Sequence, residues 1–494
     1  MMEPQSGASI GPGKVGEAPM VSVRDFSGLA SDSRAVRPGY LFAALPGAKA
    51  NGAAYIADAV KRGAVAVLGR PDARADAEKL GVRFIADENP RARLARFAAA
   101  FYGAQPRIVA AVTGTNGKTS VAVFLRQIWR QLGHDAASMG TIGVVTKAGE
   151  IALRHTTPDP VELHALLARL AREGVDHLSL EASSHGLDQH RLDGVDIAAA
   201  GFTNITRDHL DYHPTFADYL AAKLRLFTEV VREGGVAVID MDAPGAAEVL
   251  AAAKARGLGI VTVGERGETL KLAARVPHGD GQTLSIAGHG EVELPLAGSF
   301  QASNALVAAG LAIGLGDPAG KVLATLAHLK GAPGRLEKVA YAKSGAPVYV
   351  DYAHTPDALQ TVLAALRPHI EGKLAVVFGC GGDRDRGKRP LMGKAAAKFA
   401  DAVIITDDNP RGEDPAAIRR EALAGAREVD AGAREIGDRA EAIAAGIAML
   451  GAGDGLVIAG KGHEQGQIVG AVTRPFRDRD EAIKAALALG GRPA

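Results

Sequence analysis

IVAAVTGTNGKTSVAVFLRQIWRQLG, residues 108–133, decides the fold. Residues 108–113 form an almost wholly apolar run, as a strand buried on both faces requires. The run ends in Gly114-Thr115-Asn116-Gly117-Lys118-Thr119, and residues 118–133 read as a helix. Strand, glycine-rich turn and helix in that order are what a phosphate-binding loop needs. Glycine lets backbone N–H groups curl around phosphate oxygens, and the helix start adds partial positive charge. Lys118 supplies a full charge to the phosphates, and a Thr119 hydroxyl in this place is the usual Mg²⁺ ligand. The strict pattern asks for glycine five residues before Gly117, where this chain has Val112. An ordinary strand-to-helix turn with a chance Gly-Lys-Thr is the alternative, and the flanking strand and helix weigh against it.

Outward from this loop the chain reads as three blocks. Residues 1–20 are rich in Gly, Pro and Ser and read as a disordered lead-in. A first block, 21–105, carries short apolar runs at 40–45, 64–68 and 82–85. It also has a helical stretch, 91–101, with Leu94, Phe97, Ala98 and Phe101 on one face. The second block, 106–333, alternates strand runs (177–180, 197–202, 236–239) with helical patterns (160–173, 216–233, 301–315, 322–329). Alternation of this kind argues for a parallel α/β sheet. Between 261 and 298 short alternating segments suggest an antiparallel excursion. In the third block, 334–494, strand runs at 348–350, 374–378, 402–405 and 456–458 each lead straight into a polar segment. These are DYAHTPD, GCGGDRDRGKRP, TDDNPRGED and AGKGHE. Ligands of open α/β sheets bind beyond the carboxyl ends of the strands, so four such ends predict one shared site.

Composition removes several classes of protein. With 57 Lys and Arg against 56 Asp and Glu, the net charge of +1 implies neither a polybasic nucleic-acid surface nor an acidic tail. The single cysteine, Cys380, cannot form an intrachain disulfide. No apolar run reaches the roughly 18 residues of a membrane span, and the N-terminus lacks the apolar core of a secretory signal. The cytoplasm is therefore the default compartment, with no nucleic-acid or membrane partner expected.

Further motifs stand in order along the chain: SDSR at 31–34, HTTPD at 155–159, EASSHGLDQHR at 181–191, NITRDHLDYH at 204–213, AAKLRLF at 221–227, GSFQASN at 298–304, PGRLE at 333–337, DDNPR at 407–411 and GKGHE at 460–464. Together with TGTNGKT this set resembles the Mur ligase family of peptidoglycan-precursor amide ligases, over nearly the whole chain. The resemblance implies a three-domain α/β architecture. A small N-terminal α/β domain would bind the UDP end of the substrate, a central P-loop-type parallel-sheet domain ATP, and a Rossmann-like C-terminal domain the amino acid. The implied reaction is ATP-dependent: a carboxylate becomes an acyl phosphate, which an amine then attacks. A monomer is the family's usual state.

The resemblance also assigns residues. Gly114 to Thr119, Asn304, Arg335 and Asp351 would hold the nucleotide, Asn304 at the adenine base and Asp351 at the ribose. Thr119, Glu181, His209 and Lys223 would serve the Mg²⁺ site, Lys223 after carbamylation by CO₂. Lys118, Lys223, His209 and Glu181 would be the catalytic set. Ser33, Thr156, Thr157, Ser183, Gln189 and Arg191 would contact UDP-MurNAc-L-Ala-D-Glu. Without the resemblance, Glu181 reads as a surface charge, His209 as a structural histidine, Lys223 as an exposed helix lysine, Asn304 as a helix cap and Ser33 as part of a turn.

The segment Asp408-Asn409-Pro410-Arg411 would be a plain strand-to-helix turn but for Arg411, whose guanidinium can clasp a carboxylate bidentately. Within the family this signature goes with meso-diaminopimelate rather than lysine. Arg384 could hold a second carboxylate, and Glu464 with the Gly460 carbonyl the distal ammonium. A lysine-adding or folate-type sister ligase, and a non-catalytic P-loop protein, are the competing readings. Cys380 reads as a small buried residue.

Overall fold

The computed structural model describes residues 22–47, 51–209, 212–279 and 281–494. The lead-in 1–20 and the expected start at Val21 lie outside the described residues. Two units divide the chain after Gly103.

In the first unit, Gly28–Ala30, Tyr40–Ala44, Ala64–Gly69 and Arg83–Ala86 form a four-stranded parallel sheet in chain order. Phe42, Ala44 and Val67 bury one apolar cluster together with Ile56 and Ala59 of the helix Ile56–Lys61. The predicted helix at 91–101 is Pro90–Tyr102. It starts under an Asn89 side-chain cap and ends on Gly103 in the left-handed region, the stop that glycine favours.

The second unit holds two large sheets. In the first, the strand Ile108–Thr113 lies at the centre, between His177–Glu181 on one side and Ile197–Phe202 on the other. All three are parallel, and every residue of Ile197–Phe202 and His177–Glu181 is buried. The helices Lys118–Gln131 and Ser299–Gly314 cover one face with Phe124, Leu125, Trp129, Leu306 and Leu311. The helix Pro160–Arg172 covers the other with Leu163, Leu167 and Leu170. The expected antiparallel excursion is present as Leu270–His278, Gly281–Ile286 and Gly290–Leu294, which extend the sheet to one edge.

One helix is shorter than its pattern. Residues 216–233 read as helical, but the α-helix is Phe216–Arg225, followed by one wide turn at Leu226–Val230. The strand Val231–Asp240 begins where Val231 pairs with Ile197. That partner is remote in sequence, so the apolar spacing alone carried the helix too far.

The second sheet places Ala402–Asp407, Leu374–Cys380, Gly455–Ala459 and Pro347–Asp351 side by side, all parallel. These are the four strands whose polar continuations were singled out. The antiparallel strand Glu337–Tyr341 and the short Arg492–Pro493 close one edge. Neither had been visible as a strand.

A fully buried ion pair locks this sheet. Arg439 Nε and Nη2 donate to Asp478 at 2.7 Å each, and both side chains are 0% exposed. Arg439 also donates to the carbonyls of Ala459 and Asp407, the last residues of two motif-bearing strands. Removing one partner strands a buried charge, at a cost of about 3–5 kcal/mol. Asp478→Ala is therefore expected to lower the denaturation midpoint, read by circular dichroism in urea. The double change Arg439→Met with Asp478→Leu should recover most of the loss.

Candidate active site

Gly114 and Gly117 shape the loop between Thr113 and Lys118. Gly114 has φ +151° and Gly117 φ +86°. A Cβ at Gly114 would strike the Thr203 hydroxyl, and one at Gly117 the Asn304 side-chain oxygen. Asn304 thus lies directly over the loop. It sits in the second turn of the helix Ser299–Gly314, whose cap position is Gly298, so the capping reading is set aside.

The loop is braced from the strand Ile197–Phe202. Thr203 Oγ1 donates to the Asn116 carbonyl at 2.6 Å, and Asn116 N donates to Asn204 Oδ1 at 3.0 Å. Thr115 Oγ1 lies 3.0 Å from the Tyr219 hydroxyl.

Two lysines converge on one oxygen. Lys118 Nζ donates to Gly114 O and Thr115 O at 2.8 Å, and Lys223 Nζ donates to the same Gly114 O at 2.7 Å. Lys223 is 1% exposed and its ammonium sits 4.4 Å from the centre of the Tyr219 ring. Burial, with Lys118 adding like-charge repulsion, pushes the Lys223 amine well below its ordinary range. Lys118 is lowered by burial too, but Glu181 works to keep it charged. The exposed-lysine reading of Lys223 is therefore overturned.

Glu181 closes the strand His177–Glu181 and is 1% exposed, so it is no surface charge either. Thr119 Oγ1 donates to its Oε2 at 3.1 Å. Thr141 donates to it from backbone and hydroxyl, at 2.8 and 3.1 Å. His209 stands apart from this oxygen cluster. It is exposed, in the left-handed region at φ +53°, 3.7 Å from Asp208 and 6.0 Å ring to ring from Tyr219. Glu181 ends the strand His177–Glu181, and His209 follows the strand Ile197–Phe202. The strand Ile108–Thr113 separates the two, so they flank the phosphate loop from opposite sides.

Next to Glu181 lies a hydroxyl-rich network. Thr156 Oγ1 is 3.0 Å from Thr141 Oγ1, and Thr157 Oγ1 donates to the Glu181 carbonyl at 2.9 Å. Ser183 Oγ caps the short helix Ser184–Asp188 and lies 3.0 Å from Thr157 Oγ1. Arg191 donates to Thr157 O at 2.6 Å and to Gln189 Oε1 at 2.8 Å. Ser33, in the other unit, is buried and opens the 3-10 turn Ser33–Ala35, with its hydroxyl on Asp58. The turn reading of that residue is thus observed.

Three models of one family match the chain in succession: the Mur ligase family catalytic domain over 25–102, the Mur ligase middle domain over 112–312 and the Mur ligase glutamate ligase domain over 334–462. The chain is 57% identical over 477 residues to a UDP-N-acetylmuramoyl-L-alanyl-D-glutamate–2,6-diaminopimelate ligase of Bradyrhizobium diazoefficiens, covering 95% of this chain and 96% of the relative. It is 56% identical to the ligase of the same name from Mesorhizobium japonicum, covering 94% and 95%. This chain belongs to the Mur ligase family. A solved structure of a ligase of that name matches with a TM-score of 0.71 at 37% identity, over 94% of this chain and 95% of the other. The three-domain α/β architecture of Mur ligases is accordingly that of this chain.

The segment PGRLE stands where the match to the glutamate ligase domain begins. Gln301 Nε2 donates to Arg335 O at 3.0 Å, which ties that segment to the helix of Asn304. The Arg335 guanidinium lies 4.7 Å from the Tyr352 ring, and its Nε is buried without a partner. Its charge is felt at Lys118. Asp351, expected on a ribose, accepts from the backbone amides of Leu336 and Ala353 at 2.6 and 2.7 Å. It is 7% exposed, and burial raises its carboxyl. It holds the backbone of Leu336, the residue after Arg335.

At the C-terminal strand ends, Arg411 is held at φ +52° by a bond from its N to Ile468 O, 3.0 Å. Its Nη1 donates to Gly382 O at 2.8 Å, beside Gly381 and the Arg384 stem. Asn409 is fully engaged: its Oδ1 accepts from Lys461 Nζ and Ile468 N, and its Nδ2 donates to Glu464. Glu464 also pairs with Lys461 at 2.9 Å. Burial opposes its ionisation, yet Lys461 and Asn409 hold it below the ordinary carboxylate range. Asp408 is buried against Gly460, and Pro410 is buried as well. Lys461, Asn204, Arg389 and Arg439 were not singled out from sequence. The first three sit inside quoted motifs, which was the available signal. Cys380 is buried 3.7 Å from Met392 Sδ with its thiol pushed up to about 12, so it is not a nucleophile.

Proposed function

We propose that this chain is an ATP-dependent amide ligase that adds meso-diaminopimelate to UDP-MurNAc-L-Ala-D-Glu in cytoplasmic peptidoglycan-precursor synthesis. The observation that carries the chemistry is the convergence of Lys118, Thr119, Glu181, Lys223 and Arg335 on the loop 114–119. The relatives' names and the DDNPR segment support the choice of amino acid.

A carboxylate is a poor electrophile. Transfer of the γ-phosphoryl group of ATP to a substrate carboxylate oxygen gives an acyl phosphate and ADP. The free amine of diaminopimelate then attacks the acyl carbon, loses a proton, and the tetrahedral intermediate expels phosphate. Charge builds on oxygens throughout, so positioned cations stabilise the transition states. In this reading Lys118 and the unpartnered Arg335 Nε serve the phosphates, and Asn304 over the loop meets the base.

Mg²⁺ is a hard cation that prefers oxygen ligands. Thr119 Oγ1 and the Glu181 carboxylate, 3.1 Å apart, fit that preference, with His209 across the loop. Bound there, Mg²⁺ would neutralise phosphate charge. Thr156, Thr157, Ser183, Gln189 and Arg191 offer the acyl substrate hydroxyls, an amide and a guanidinium beside Glu181, while Ser33 is assigned to its uridine end. Arg384 and Arg411 supply carboxylate-binding charge, and Asp408, Asn409, Pro410, Gly460 and Glu464 shape the amine end. No helix among the described residues is long and apolar enough to cross a membrane. A monomer is the proposed state.

The test is phosphate release from ATP in the presence of UDP-MurNAc-L-Ala-D-Glu, with meso-diaminopimelate or L-lysine as acceptor and product mass as control. Turnover with diaminopimelate alone is expected. Equal turnover with lysine would remove the assigned specificity. A charge-assisted bond of this kind contributes about 1.5–3 kcal/mol, or ten- to a hundredfold. Arg411→Ala should therefore raise the KM for diaminopimelate about ten- to a hundredfold with kcat less affected.

A further inference from the structure

The parallel sheet that carries the phosphate loop has a second end, and a histidine cluster stands there. His177 is the first residue of the strand that Glu181 closes, and His134 follows the helix that Lys118 opens. One ligand atom each from His134, Asp176 and His177 lies within 4.8 Å of the others. The two imidazoles stack at 4.0 Å with planes 30° apart. His177 Nδ1 is 2.7 Å from Asp176 Oδ1, and His134 Nε2 is 3.2 Å from Asp317 Oδ1. Three side chains from two separate segments thus face one point, with Asp317 from a third segment paired to His134, and none of them is used by the ligase chemistry.

We propose that His134, Asp176 and His177 form a binding site for a divalent transition ion of the zinc class, with Asp317 orienting His134. Two imidazoles and a carboxylate are the donor set such ions prefer, whereas Mg²⁺ selects oxygen. Zinc-type bonds of about 2.0–2.2 Å put donor atoms roughly 3.3 Å apart in a tetrahedral shell. The donors must therefore draw in by about 1.5 Å at most. His134 and Asp176 can do so, because their side chains are 28% and 39% exposed, while His177, at 6%, is the fixed point. Bound there, the ion would clamp the turn after Lys118–Gln131, the start of His177–Glu181 and the turn after Ser299–Gly314.

The chain supplies its own reporter. Trp129 is the single tryptophan, and its ring is 4.9 Å from that of His177. It lies eleven residues along its helix from Lys118, or about 16 Å at the helical rise. The probe is Cu²⁺, which quenches a neighbouring indole; Zn²⁺, a filled-shell ion, is the non-quenching competitor. With the full-length protein, Cu²⁺ at low micromolar concentration should remove at least half of the tryptophan emission. Excess Zn²⁺ should restore it, and millimolar Mg²⁺ should not. His134→Ala and Asp176→Asn, both at partly exposed positions, should each weaken the apparent affinity at least tenfold. Ligase turnover with Mg²⁺ should be unchanged in His134→Ala. An absence of quenching at stoichiometric excess, or quenching of equal affinity in both variants, would overturn the site.

Discussion

Lys118→Met is expected to lower turnover about a thousandfold while leaving the fold intact. The substitution keeps the stem of the side chain and removes its charge. In the structure Lys118 Nζ folds back on the carbonyls of Gly114 and Thr115, so it lies at the mouth of the loop that would receive phosphate. A single positive group acting on a transferring phosphoryl is worth about 10²–10⁵ in rate, because its effect grows as charge develops. The loss should fall on kcat as well as on the KM for ATP. Positional isotope exchange in ATP, run with the acyl substrate alone, isolates the acyl-phosphate step. If that exchange and the full reaction both proceed at the normal rate in the variant, Lys118 is not the phosphate clamp. The loop's own bracing by Thr203 and Asn204 does not involve the Lys118 side chain. A Lys118→Met protein should therefore melt like the parent.

That bracing marks where the sequence stops being informative. The strand Ile108–Thr113 was legible because both its faces are buried, which leaves an apolar run with sharp ends. The hairpins at 270–294 were legible because only one face is covered, which leaves alternation. The end of the helix Phe216–Arg225 was not legible. Leu226, Phe227, Val230 and Val231 continue an apolar pattern, and only the remote pairing of Val231 with Ile197 turns the chain into a strand. The site divides in the same way. Gly114 to Thr119 announce themselves because their chemistry is local in sequence. Arg439 looks like any helix arginine until Asp478, thirty-nine residues on, closes over it. Asp351 shows what motifs leave out: the resemblance implies a ribose contact, and only the structure reveals that its two oxygens also hold the backbone amides of Leu336 and Ala353. Strand order is also non-local. Glu181 ends one strand and His209 follows another, and neither motif reveals that the strand carrying the phosphate loop separates the two.

Lys223→Arg is expected to cost about a hundred- to a thousandfold in turnover, although it preserves the positive charge. The reason is the proton. Lys223 and Lys118 donate to the same Gly114 carbonyl, and two ammonium groups around one oxygen in a buried site repel each other. Burial is the larger influence on Lys223 and drives its amine toward the neutral form. A neutral buried amine is the species that attacks CO₂: the nitrogen bonds to carbon, loses a proton, and an anionic carbamate results. That anion would sit beside Lys118 and could position Mg²⁺, which the parent ammonium could not. Arginine stays protonated at any working pH and cannot follow this course. The expected signature is therefore twofold. The parent enzyme should lose activity in CO₂-free buffer and regain it on addition of bicarbonate, whereas Lys223→Arg should respond to neither treatment. Isotopically labelled bicarbonate should give a carbamate resonance in the parent that the variant lacks. An Lys223→Arg enzyme with parental turnover, or a parent indifferent to CO₂ and without that resonance, would leave Lys223 as a buried neutral amine on the Gly114 carbonyl. The electrostatics would then have to be met by Glu181 and the phosphates alone.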